Sequence, residues 1–160
     1  MIPKRIIVHH TADGQTAHQF DKINAFHQTL TFPLSSLGFY VGYHYLIEHD
    51  GSIRQAHEDD EVAAHDTGEN LNSIGVAFAG NFNETSPTPE QIQSYAKLIH
   101  ELRAKWRIQL IHIEPHRLDD STDCPGTRLL DEALIYMYLD NVGDPQLLEH
   151  RVVGDLLLHR

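Results

Sequence analysis

One cysteine in 160 residues excludes an internal disulfide framework and leaves Cys124 as a buried thiol, a metal ligand or a nucleophile. Basic residues are scarce. Twelve Lys and Arg stand against 23 Asp and Glu, a net charge of −11 with His neutral. That balance lacks the electrostatic footprint of a nucleic-acid binder, and no local basic patch restores it. No apolar run approaches the ~20 residues that span a bilayer. The N-terminus, Met1-Ile-Pro-Lys-Arg-Ile-Ile-Val-His-His10, lacks a signal-peptide layout, because its apolar stretch is short and runs into polar residues. The expectation is a protein that is cytoplasmic as synthesised. Proline and glycine are neither dense nor periodic, and 41% hydrophobic with 22% charged residues excludes a disordered or low-complexity chain. The length suits one domain with a sizeable core.

Histidine is abundant, 13 in all, so the count by itself selects no site. The order of elements says more. Arg5-Ile6-Ile7-Val8 is a β-branched run that reads as a buried strand, and it delivers His9-His10-Thr11 at its C-terminal end. Residues 16–30 read as a helix, with Thr16 as the N-cap and Phe20, Ile23, Phe26 and Leu30 at helical spacing. Val41 to Ile47 reads as a strand, Asp50-Gly51 as a hairpin turn and Ile53 to Gln55 as its partner. Alternation along the first of these puts Tyr43, Tyr45 and Ile47 on one face, His44 and Leu46 on the other. Ser73 to Gly80 is small and apolar throughout, as in a central strand covered on both faces. Thr88-Pro89-Glu90-Gln91 is a capping box, with proline at the first helical position, ahead of a stripe from Ile92 to Trp106. Gln109 to Ile113 reads as a last strand and residues 127–139 as a closing helix. The tail, 141–160, reads as one more short helix, packed on the same body or against a partner. Strand, helix, hairpin, strand, helix, strand, helix predicts a single α/β domain whose central mixed β-sheet is flanked by helices.

The chemistry converges on His116-Arg-Leu-Asp-Asp-Ser-Thr-Asp-Cys124-Pro-Gly. A histidine and the lone cysteine stand eight positions apart in a segment that follows a strand. Imidazole and thiolate both bind zinc, at about 2.0–2.3 Å. His9, at another strand end, is a candidate third donor, because open α/β sheets place chemistry there; a plain polar strand end is an equal alternative on local sequence. Three nitrogen and sulfur ligands with an open fourth position favour a catalytic zinc over magnesium or calcium.

Six blocks occur in order: Ile7-Val8-His9-His10-Thr11-Ala12, Gly42-Tyr43-His44-Tyr45-Leu46-Ile47, Asp50-Gly51, Asn72-Ser73-Ile74-Gly75-Val76, Thr88-Pro89, and His116 with Cys124-Pro125-Gly126. Together they resemble the zinc-dependent N-acetylmuramoyl-L-alanine amidases of type 2, shared by small phage lysozymes and peptidoglycan recognition proteins. The resemblance spans about residues 4 to 139, with residues 1–140 as the amidase domain. It implies one Zn²⁺ per chain, held at strand ends by His9, His116 and Cys124, with Tyr43 as the catalytic tyrosine. Thr122 stands where some phage enzymes carry lysine and is expected to donate a hydrogen bond or position water. His65 matches a histidine of the substrate groove, and His10 is taken as a neighbouring substrate-side or ligand-orienting residue. The implied reaction is hydrolysis of the amide between N-acetylmuramic acid and L-alanine of peptidoglycan, endolysin-like, by a monomer that reaches the wall through a holin. No carboxylate matches the acid/base glutamate of the cytoplasmic recycling branch, and Cys124 stands where that branch uses aspartate. The rival is a non-catalytic peptidoglycan-binding module. Such modules typically lack the cysteine ligand, whereas Cys124 and Tyr43 are both present.

Overall fold

The computed structural model describes residues 1–14 and 18–129. The expected Thr16 cap, the closing helix beyond residue 129 and the 141–160 tail lie outside the described residues. β1 (Arg5–His10), β2 (Tyr45–Ile47), β3 (Ile53–Gln55), β4 (Ser73–Phe78) and β5 (Ile113–Pro115) form one sheet, ordered β3-β2-β4-β1-β5. β1 runs parallel to both neighbours and β2 parallel to β4, while β2 and β3 are an antiparallel hairpin. The sheet is therefore mixed, and helices α1 (Gln19–Thr29) and α2 (Pro89–Trp106) supply its two main partners.

Side-chain alternation divides the core between the two faces. Ile6 and Val8 of β1, Tyr45 and Ile47 of β2, and Ile74, Val76 and Phe78 of β4 pack with Ile92, Tyr95, Ile99 and Leu102 of α2. The opposite face is thinner: Phe20 and Ile23 of α1 meet Leu46 and Ala77. Burying each large apolar side chain stabilises the fold by about 1.5–3 kcal/mol, so the α2 face contributes most. The small residues Gly75 and Ala77 leave room on the α1 face, and the polar residues of the site occupy it.

α2 starts as its sequence dictates. Thr88 accepts from the Gln91 N–H and the Gln91 side chain returns the bond, with Pro89 in the first turn. α1 starts differently. His18, at its N-cap, has left-handed backbone angles and makes no side-chain cap. The Glu48 carboxylate, from the far end of β2, instead accepts from the N–H groups of Gln19 and Phe20 at 2.9 and 2.8 Å. A negative group at a helix N-terminus satisfies orphan donors and opposes the helix dipole.

Two strand boundaries move. β2 begins at Tyr45, not Val41, because residues 42–44 bend. Gly42 admits no side chain there: a Cβ would lie 2.6 Å from the Ala64 carbonyl oxygen and 2.7 Å from the Phe32 ring. The bend sends Tyr43 to the α1 face beside Leu46, opposite the side that alternation assigns to it. The last strand also starts later. Leu110–His112 is a single 3₁₀ turn with Ile111 half exposed, and pairing with β1 begins only at Ile113. β5 is an edge strand, which tolerates the missing N–H of Pro115.

A candidate metal centre at the strand ends

The β1–β5 register matches Val8 with Pro115, so the next step along both strands brings His9 opposite His116. Their ring centroids lie 4.5 Å apart. His116 opens a 3₁₀ turn whose carbonyl accepts from the Asp119 and Asp120 N–H groups. The Arg117 N–H then donates to the Cys124 carbonyl at 3.0 Å and closes the loop on itself. Gly126 follows at φ 93, and a Cβ there would lie 2.5 Å from the Phe82 backbone. The glycine of Cys-Pro-Gly is thus a packing requirement that seats the cysteine. His9, His116 and Cys124 each present a donor atom within 4.8 Å of the others.

Hydrogen bonds behind His9 set which nitrogen faces the centre. Ser73 Oγ donates to the Glu69 carbonyl at 2.6 Å, so it accepts from His65 Nε2 at 3.3 Å. That makes His65 Nδ1 an acceptor, and His9 Nε2–H donates to it at 3.1 Å. The lone pair of His9 is then on Nδ1, which lies 3.7 Å from Cys124 Sγ. Burial, reinforced by His65, His116 and His10, holds His9 well below the usual histidine range, so it is a neutral donor. Burial likewise pushes His65 down to about 3. An outer partner that fixes tautomer and ring orientation is the common arrangement behind metal-bound histidine.

Burial pushes the Cys124 thiol up to about 11, against the His10 backbone N–H that donates to Sγ at 3.4 Å. A free-thiol nucleophile at neutral pH is disfavoured, whereas direct coordination removes the proton regardless of that value. In metal-stripped protein, alkylation of Cys124 is expected to be slow near neutral pH and to accelerate as pH rises toward 11. A rapid neutral-pH reaction, followed by mass spectrometry, would restore the nucleophile.

The other residues singled out from the sequence fall as follows. Tyr43 lies with its ring 5.2 Å from that of His9 and lines a cleft of about 430 Å³ together with Thr11, Ala12, Asp13, Lys22, Ile23, Phe26 and His27. Burial, then the nearby Cys124, raise its pKa, so it stays a protonated donor. His65 is buried beneath His9 and does not line the cleft. Its ring rests where Gly75 has no side chain; a Cβ there would lie 2.5 Å from His65 Cγ. His10 points to the α2 face, as alternation requires, and its Nδ1 accepts from the Phe82 N–H at 3.3 Å. Its backbone, by contrast, reaches the centre: the N–H donates to Cys124 Sγ at 3.4 Å and the carbonyl lies 4.0 Å from the same sulfur. Thr122 is exposed, and its hydroxyl oxygen accepts from the Cys124 N–H at 3.2 Å, which shapes the ligand loop. Sequence reasoning does not single out Ser73 and Gly75 as site residues. They stand in a run that reads as core strand, and only the small side chain at 75 hints that something must fit beside it.

The donor set, two imidazoles and one thiol with no carboxylate among them, suits zinc. Fold and site together define an α/β domain with a candidate three-ligand metal centre at the ends of parallel strands. The chain belongs to the type 2 N-acetylmuramoyl-L-alanine amidase family, whose sequence profile matches residues 1–127. It is 31% identical to peptidoglycan-recognition protein SC2 of Drosophila melanogaster over 128 residues, 79% of this chain and 70% of that protein. Among solved structures it is similar to the N-acetylmuramoyl-L-alanine amidase LysC from Clostridium intestinale, with 32% identity, TM-score 0.72 and 83% of each chain covered. It is also similar to Drosophila peptidoglycan recognition protein SD, with 26% identity, TM-score 0.70, 83% of this chain and 79% of that one covered. Among the described residues, no helix is long and apolar enough to cross a membrane.

Proposed function

We propose that the protein is a zinc-dependent amidase that hydrolyses the bond between the lactyl group of N-acetylmuramic acid and L-alanine of peptidoglycan, acting endolysin-like on the cell wall. The observation that supports it most is the convergence of His9, His116 and Cys124 beside Tyr43 at the edge of an open cleft. A zinc ion held by the three donors supplies a Lewis acid and brings the pKa of water down to ~7. The chain's own residues do the rest. His9 is kept neutral chiefly by its burial and is oriented by His65. The His10 N–H holds the sulfur in place. Tyr43, kept protonated by its burial, donates to the oxygen on which charge develops as the amide carbonyl is attacked. Ile23 and Phe26 of α1 offer an apolar wall along the cleft for the substrate. Thr122 shapes the loop and leaves its O–H available to water or substrate.

The test uses purified peptidoglycan and counts newly exposed L-alanine amino termini by dinitrophenylation. Zinc-loaded protein is expected to release them, chelation to stop the release and added zinc to restore it. Protein that carries zinc and sediments with the wall, yet exposes no alanine termini, would instead be a recognition module.

A further inference from the structure

The segment His65-Asp66-Thr67-Gly68-Glu69-Asn70 carries a second polar group toward the centre. Asn70 Oδ1 accepts from the N–H groups of both His65 and Asp66 at 2.9 Å, and the Asp66 carbonyl accepts from the Asn70 N–H at 3.2 Å. The two residues are thereby held as a rigid pair. His65 is the outer partner of His9. Asp66 is 3% exposed, and neither carboxylate oxygen has a hydrogen-bond partner. Its Oδ1 lies 3.9 Å from His116 Nε2, which is itself buried and without a hydrogen-bond partner. Asp120 Oδ2 is at the same distance, but that side chain is mostly exposed and has water to satisfy it. A buried polar group left unmatched costs about 1–3 kcal/mol, more when charged. Here two such groups, one acceptor and one potential donor, face each other.

We propose that Asp66 is the positioning residue for His116: as the metal site fills, His116 Nε2–H closes on the Asp66 carboxylate, which fixes the imidazole with its Nδ1 lone pair toward the metal. One dipeptide then supplies the outer partner of both histidine ligands, His65 for His9 and Asp66 for His116. The inference rests on the zinc assignment above and extends it to a residue that makes no contact with the metal.

The experiment compares full-length wild type, Asp66→Asn and Asp66→Ala. Zinc affinity is read by competition with a chromophoric chelator, and the melting temperature of each metal-free protein is read separately. Asp66→Ala is expected to bind zinc ~10–100-fold more weakly, the usual cost of a lost outer partner. Asp66→Asn, which keeps an acceptor without the charge, should fall between. The metal-free variants should melt no lower than wild type, because a buried carboxylate with no partner has been removed. Unchanged zinc affinity in both variants overturns the proposal. So does a drop in metal-free stability in both, which would make Asp66 a plain structural residue. If wild type binds zinc but cleaves no peptidoglycan, the amidase assignment fails while the Asp66 result still stands. If wild type binds no zinc, both fall.

Discussion

Cys124→Ser is expected to lose zinc and amidase activity together. The serine hydroxyl occupies nearly the same space, so the loop closed by Arg117 and Gly126 should survive. What disappears is the sulfur between the His10 N–H and His9 Nδ1, at 3.4 and 3.7 Å. A serine hydroxyl stays protonated where a thiol gives a soft, deprotonated ligand. Loss of a direct ligand should exceed the ~100-fold upper range seen when only an outer partner is removed. Metal content by atomic absorption and alanine-terminus release are the two measurements. A variant that keeps its zinc and its rate would take Cys124 out of the centre.

Tyr43→Phe should behave in the opposite way with respect to metal. The ring still packs beside His9 and His27, at 5.2 and 5.8 Å between centroids, so zinc content should not change. The turnover rate should fall by about 10²–10³, the effect of deleting one donor to a developing oxyanion, or roughly 3–4 kcal/mol. KM should move little, since the hydroxyl acts on the transition state more than on the bound substrate. The pH profile carries a further check. Burial first, then the Cys124 sulfur, raise the phenol pKa, so Tyr43 remains a donor across the neutral and mildly alkaline range. An alkaline limb in the wild-type profile should therefore persist in Tyr43→Phe. A variant with wild-type turnover would make Tyr43 a packing residue of the cleft wall.

Residue type and its spacing from His116 already single out Cys124 in the sequence, a local signal, whereas Tyr43 is singled out there only by the family resemblance. Donor chemistry is written in residue type, and His116 and Cys124 are close in the chain. The α2 cap is likewise a four-residue signal, and the structure has both of its hydrogen bonds. Other assignments failed for equally specific reasons. The Val41–Ile47 run has strand composition, but Gly42 is pinned against Ala64 and Phe32, which bends the chain and moves Tyr43 across the sheet. Gln109–Ile113 is apolar enough for a strand, yet Ile111 faces solvent and the pairing starts four residues after Gln109. The α1 start draws on Glu48, about thirty positions away, which no local pattern reports.

By itself the sequence determined the order of the described elements through the last strand, the α2 cap, the two-sided burial of β4 and the candidate nitrogen and sulfur donors. Each depends on periodicity or chemistry within a few residues. The tertiary structure alone decided that β1 and β5 are neighbours in a register that sets His9 against His116. It also decided that His65 and Asp66 lie behind the two histidines while His10 faces away. These outcomes follow from strand order and side-chain direction, which are properties of the packed sheet and appear in no window of the chain.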